Sequence, residues 1–255
     1  MRHDEKLVEL FLRGYNETTG GTYEIEHRPE QVERQKPAVE AVAHDKTGNR
    51  LAIEHTLLQP FVGERDDSQR FLAAIAPLEA EESLVIPNFD ITLMVFVGAI
   101  PKGVPWGNVY ETVRDWLRGN VHSFPIGFSS HRVPDMPFDL SISIERTHLP
   151  DSPGCFFVAR HAPPDSLDEV MRNAFSRKLS KLVETPADRR ILLLEKADIL
   201  HGYGRTRKSI ETVGPEFRDF ARVNEVWLAN TVAWAREKVV FFYELWPYFR
   251  RVRFE

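Results

Sequence analysis

Cysteine is almost absent: Cys155 is the only one in 255 residues. A single thiol excludes an internal disulfide framework and any CxxC zinc site, and it fits a reducing compartment. An excess of charge of one sign is also missing. The 33 lysines and arginines against 38 aspartates and glutamates leave a net charge of −5, so contact with nucleic acid would rest on a local basic patch. No apolar run approaches the roughly 18 residues of a membrane-spanning helix. The opening "MRHDEKLVELF" lacks the apolar stretch and small-residue cleavage site of a signal peptide. The nine histidines show no HExxH spacing, which leaves zinc unsupported. There are no internal repeats and no low-complexity tracts. Together these absences lead to the expectation of a soluble, cytoplasmic protein that does not enter a membrane.

What is present is enough apolar material for a full core, 42% of the residues, arranged with both helical and strand periodicity. "DEKLVELFLRGYN" puts Leu7, Leu10, Phe11 and Tyr15 on one helical face, and "TYEIEHR" follows as a short strand. Two strands are expected over 37–44 and 49–58, then a helix capped near Asp67 or Ser68. Next come a buried strand "DITLMVFVGAI" and a helix "WGNVYETVRDWLRGN" ended by Gly119. "DLSISIERT" and "GCFFVARH" suggest an antiparallel pair. A long helix over 165–184, the strand "RILLLEK", a helical stretch around 206–221 and the strands "VNEVWLAN" and "VVFFYEL" complete the chain. The mixture predicts an α/β or α+β fold in one domain spanning 1–255. Pro-rich patches at 101–105 and 133–137 bound a possible inserted subregion, residues 100–162.

One stretch raises a question of chemistry. In "KPAVEAVAHDKTGNRLAIEHTLLQPF" a glutamate stands inside each of two apolar runs. "DKTGN" fits a three-residue hairpin loop, Lys46-Thr47-Gly48, with Gly48 in the left-handed bulge position and Asp45 paired with Asn49. Counting outwards, Ala43 faces Leu51, Ala41 faces Ile53 and Glu40 faces Glu54. Two carboxylates opposite each other, roughly 5 Å apart at their β-carbons, repel unless one keeps a proton or a cation neutralises them. Mg²⁺ or Mn²⁺, bound by one or two carboxylates with water and phosphate, is the economical candidate. Glu40 and Glu54 are therefore the expected metal ligands. The bland alternative is a solvated face, opposed by the apolar Ala38, Val42 and Ala52 beside them.

"P-A-V-E", the hairpin and "A-I-E-H-T" resemble the PD-(D/E)XK nuclease superfamily, the restriction-endonuclease-like fold. The resemblance implies an acid on the second core strand, matched by Glu40, and acid-x-Lys on the third, matched by Glu54 but with Thr56 at the lysine position. It also implies a central mixed sheet flanked by helices, Mg²⁺-dependent hydrolysis of DNA or RNA, and two acids holding the metal while a lysine steadies the phosphate. Thr56 offers a hydroxyl and no charge. His55 points to the opposite face from Glu54 and reads as a hydrogen-bonded core or interface histidine. In "DSLDEVMRNAFSRKLSKLVE" the apolar stripe is Leu167, Val170, Met171, Ala174, Phe175 and Leu182. Lys178 falls within that stripe and Lys181 at its edge. Lys178 is thus the candidate for the missing charge, completing the catalytic set Glu40, Glu54, Thr56 and Lys178.

Other signals are weaker. "HGYGRTRKS" could hold a phosphate at a helix start, although it lacks Walker spacing. Glu195 could join the acids if its strand lies beside Glu54. Trp227, Trp234 and Trp246 read as core. The competing functions are a catalytically degenerate nuclease fold that binds or scaffolds, and a nucleotide-binding sensor.

Overall fold

The computed structural model describes residues 2–29, 38–161, 163, 165–199, 202–234, 239–248 and 250–254. Pro37 of the hairpin motif and His201 of "HGYGRTRKS" lie outside them. The chain is mixed α/β, with two mixed sheets and, among the described residues, five α-helices. It divides into two compact units, residues 1–62 with 165–255, and residues 63–164. The region 100–162 falls within the second.

The first unit opens with helix α1, His3–Thr19. Its strands are β1 (Glu24–His27), β2 (Ala41–His44) and β3 (Arg50–Leu57). After the second unit come helix α4 (Leu167–Glu184), β8 (Arg189–Lys196), helix α5 (Tyr203–Val213), β9 (Glu225–Asn230), β10 (Val240–Trp246) and β11 (Arg250–Phe254). They form one sheet in the order β1-β2-β3-β8-β9-β10-β11. The hairpin β2–β3 is antiparallel, whereas β3, β8 and β9 run parallel, because helical segments carry the chain back between them.

Both faces of this sheet are covered, which is why β8 reads as the continuous run "RILLLEK" rather than an alternation. On one face α1 packs Leu7, Phe11 and Tyr15 over Ala41, Ala43, Leu51, Ile53, Ile191, Leu193 and Trp227. On the other, the α4 stripe with Ile210 and Val213 of α5 packs over Val42, Ala52, Leu192, Leu194, Val226 and Leu228. Trp227 is a core residue as expected, 2% exposed, and its indole donates to Glu225 Oε2 at 2.6 Å.

The second unit contains helix α2 (Glu64–Ala74), β4 (Phe89–Val95), helix α3 (Trp106–Asn120), β5 (Gly127–Arg132), β6 (Ser141–His148) and β7 (Cys155–Arg160). Its sheet order is β5-β6-β4-β7. The expected pairing of "DLSISIERT" with "GCFFVARH" does not form, because β4 lies between them, antiparallel to β6 and parallel to β7. Asn88 explains the detour: Leu149 N donates to its carbonyl, its own N–H donates to Ser152 O, and Asp151 N donates to its Oδ1, each at 2.9 Å. The chain after β6 is thereby wrapped around the start of β4 and returns on its far side. "GFSSHR" is the edge strand β5, paired with β6 and drawn in by ring contacts of His131 with Phe124 and Trp116 at 4.9 and 5.8 Å. Helix α2 begins ahead of the expected cap. Asp67 lies inside it, buried, and accepts from Gly98 N at 2.8 Å and Arg160 at 3.0 Å.

Candidate active site

The turn chemistry builds the hairpin as its residues require. Gly48 has φ +88, a conformation open to glycine at little cost, and donates its N–H to Asp45 O at 3.1 Å. Asp45 Oδ1 accepts from the N–H groups of Thr47 and Asn49 at 2.8 and 2.9 Å. Hydrogen bonds from the Thr47 and Asn49 side chains are the main cause that holds the Asp45 carboxyl down at about 2. The ladder beyond the turn pairs Ala43 with Leu51 and Ala41 with Ile53, the register derived from the sequence.

That register sends Glu54 to the α4 face, beside Ala52. Its side chain is fully buried. Two lysines on α4 meet it there, Lys178 Nζ at 2.6 Å and Lys181 Nζ at 2.7 Å, both on Oε1. Spaced three apart, they share one side of the helix. Lys181 also donates to the carbonyl of Ala38 at 2.9 Å, tying α4 to the segment that leads into β2. Glu54 Oε2 has no hydrogen-bond partner among the described residues. Burial, the strongest influence, pushes the Glu54 carboxyl above its ordinary range, and the two ammoniums pull it the other way. The cation that meets Glu54 is therefore ammonium. Lysine at the stripe centre, unusual for a covered face, is explained by its anion.

Glu40 sits in a bend just ahead of β2, at 9% exposure. The ladder's last pair on that side is Ala41 with Ile53. The Glu40 charge reaches Arg2, whose raised pKa comes first from its hydrogen bond with Glu5, then from Asp4, with Glu40 adding least. Thr56, 6% exposed, follows Glu54 on the same face of β3.

Glu195 stands apart from Glu54. It pairs with Leu57 in the β3–β8 ladder and turns to the α1 face. There it accepts from Thr231 Oγ1 at 2.7 Å and meets His3 Nε2 at 2.8 Å and His55 Nε2 at 3.1 Å. His55 is thus the hydrogen-bonded histidine that its strand position implied. Burial would raise the Glu195 carboxyl, but hydrogen bonds with His55, His3 and Thr231 outweigh it and hold the group at about 2. His3 and Thr231 gave no sequence signal, because only the fold brings them to Glu195. The backbone bond of Lys181 was equally hidden, although the helix phase had placed that residue at the stripe edge. In the basic stretch that opens α5, Arg205 pairs with Asp165, and Arg207 with Glu211 at 2.8 Å.

A divalent cation finds a partial fit. Glu54 Oε2 is a buried carboxylate oxygen without a donor, and Mg²⁺ needs only one or two carboxylates besides water and phosphate. Against that, Oε1 carries two ammoniums, and among the described residues no group of three His, Cys, Asp or Glu could hold a metal. The set makes no closed metal cage among the described residues, and the one carboxylate it offers is buried and met by two ammoniums.

Fold and site together define a mixed α/β protein with a buried Glu–Lys–Lys cluster at the junction of a hairpin strand and a crossover helix. No protein family, curated protein or solved structure matches the chain.

Proposed function

We propose that the chain is a nuclease-like hydrolase of DNA or RNA phosphodiesters, with a restriction-endonuclease-like core formed by α1, β1, β2, β3, α4 and β8. The observation that carries this reading is the convergence of Lys178 and Lys181 on Glu54. It supplies positive charge beside the strand acid where Thr56 cannot. The strand order β1-β2-β3-β8, with β2 alone antiparallel and a helix between β3 and β8, supports the same core.

In this reading Lys178, the more exposed of the two lysines at 18%, turns from Glu54 to the phosphate as negative charge builds there. Lys181 stays on Glu54 and Ala38 O, fixing α4 against β2. Thr56 offers a hydroxyl on the same face for orienting water. Mg²⁺ or Mn²⁺ held by Glu54 and Glu40 would supply Lewis-acid polarisation and a more acidic water.

A second reading, a catalytically silent binding or scaffolding protein, is favoured by one observation: both Glu54 oxygens are sealed from solvent. Incubation with labelled single- and double-stranded DNA and with RNA, in Mg²⁺, Mn²⁺ or EDTA, separates the two. Metal-dependent cleavage that Glu54→Gln abolishes is the result expected of a hydrolase. No cleavage of any substrate by the wild type leaves the silent reading standing.

A further inference from the structure

Strand β5 closes the four-stranded sheet of the second unit on one side, and among the described residues only β6 pairs with it. The hydrogen bond from Val133 N to Leu140 O, at 2.9 Å, continues the β5–β6 ladder. Bonded and unbonded pairs alternate in an antiparallel ladder, so this bond fixes the phase. Gly127, Ser129 and His131 bond to β6, and Phe128, Ser130 and Arg132 turn their N–H and C=O groups outward. The side chains of those three share one face and are exposed, Phe128 at 61%. Glu145 of β6 pairs with Phe128 on that face, exposed and without an ion pair among the described residues. Arg132 meets Asp139 at 2.8 Å, with both side chains largely open to solvent. Edge strands are ordinarily closed off by lysine, proline or a cover, and β5 contains neither lysine nor proline.

We propose that β5 is a self-recognition edge, at which a second copy of this chain pairs antiparallel across a two-fold axis through Ser130. Complementarity selects both the occupant and the register. With the two Ser130 residues opposite each other, Phe128 of each copy falls opposite Arg132 of the other. Every outward N–H and C=O group of Phe128, Ser130 and Arg132 then finds a backbone partner. On the side-chain face the guanidinium lies over the Phe128 ring of the other copy, and Glu145 stands next beyond that ring with the opposite charge. An axis through Arg132 would instead set two guanidiniums against each other. The contact is isologous and closes at two copies. A single strand pair buries less than a standard interface, so the dimer forms and parts with concentration. The inference is independent of the reading above, since β5 belongs to the second unit and Glu54 to the first.

Sedimentation velocity of the full chain, over roughly 5 to 500 µM, tests it. The wild type is expected to pass reversibly from monomer to dimer. Ser130→Pro deletes an outward N–H at the axis and leaves the bonds to β6 in place, as proline on an edge strand does. It should abolish the dimer while a thermal melt shows the fold retained. Arg132→Glu leaves the backbone alone and should weaken the dimer roughly tenfold or more, and adding Glu145→Arg should restore it. Ser130→Cys, in a Cys155→Ser background, should form a disulfide between copies on mild oxidation, because the Cα atoms of a bonded pair lie about 5.5 Å apart. A wild type that stays monomeric over the whole range overturns the proposal. So do assemblies that keep growing beyond the dimer, the mark of a head-to-tail contact. A dimer unmoved by both Ser130→Pro and Arg132→Glu also overturns it, and would mean that Arg132 only guards an open sheet edge.

Discussion

Lys178 Nζ lies 2.6 Å from Glu54 Oε1, an ion pair between a crossover helix and the central strand it covers. Lys178→Met keeps the aliphatic stem within the apolar stripe and leaves Lys181 on the carboxylate. The fold is therefore expected to survive, with a melting temperature near the wild type's. Metal-dependent cleavage is expected to fall by about a hundredfold, the scale of losing one electrostatic stabiliser. Initial rates beside a thermal melt check both halves, and undiminished cleavage would remove Lys178 from the mechanism.

Glu54→Gln removes a buried charge that Lys178 and Lys181 share. Breaking a buried pair from one side costs about 3 kcal/mol or more, whereas apolar replacement of the whole cluster is often neutral or stabilising. The single variant is thus expected to unfold at lower urea, and the triple variant Glu54→Leu, Lys178→Met, Lys181→Met at wild-type urea or higher. The raised pKa of Glu54 has the same origin. The contribution of burial is fully present below the ordinary carboxylate range, and it is lost as pH rises through the folded-state value. A single variant as stable as the wild type would show that the cluster is not electrostatically coupled.

Gly48→Ala places a side chain at φ +88, where an L-residue is strained. Space is not the obstacle, since among the described residues no heavy atom beyond the adjoining residues lies within 4 Å of the added carbon. The expected loss is about 1 kcal/mol, measured by denaturant unfolding. Equal stability would mean that the loop relaxes and that the register does not depend on this turn.

Local rules were readable wherever one element decided the outcome. Turn chemistry fixed the β2–β3 register, and helix phase placed Lys178 among Val170, Met171, Ala174 and Phe175, all buried. Pairing between distant strands was not readable. Strand β7 sits beside β4 because the chain circles Asn88, a matter of loop path that alternation within a strand cannot reveal. Strand β5 escaped notice because "GFSSHR" has no apolar run and is held from outside by β6 and by rings of the preceding region. The Glu195 cluster draws on α1, β3, β8 and the turn after β9, so only the closed sheet assembles it.

That cluster yields a pH dependence whose sign is set by geometry. Glu195 is buried, yet its contacts with His55, His3 and Thr231 hold its pKa at about 2, below the ordinary carboxylate value of 4.5. A depressed folded-state pKa contributes stability that is fully present above the unfolded value and lost as pH falls through the folded one. The window therefore runs from about pH 4.5 down to about pH 2, and a shift of that size corresponds to about 3 kcal/mol. Glu195→Gln keeps the shape and removes the charge. Urea unfolding from pH 7 to pH 3 is expected to show a smaller loss of stability in this variant than in the wild type, from a lower starting value. His3→Gln should reproduce part of the effect, because it removes one of the three partners of the carboxylate. Should the acid profiles of wild type and Glu195→Gln run parallel, the cluster does not govern acid stability, and the contact between α1 and β8 through His3 is incidental.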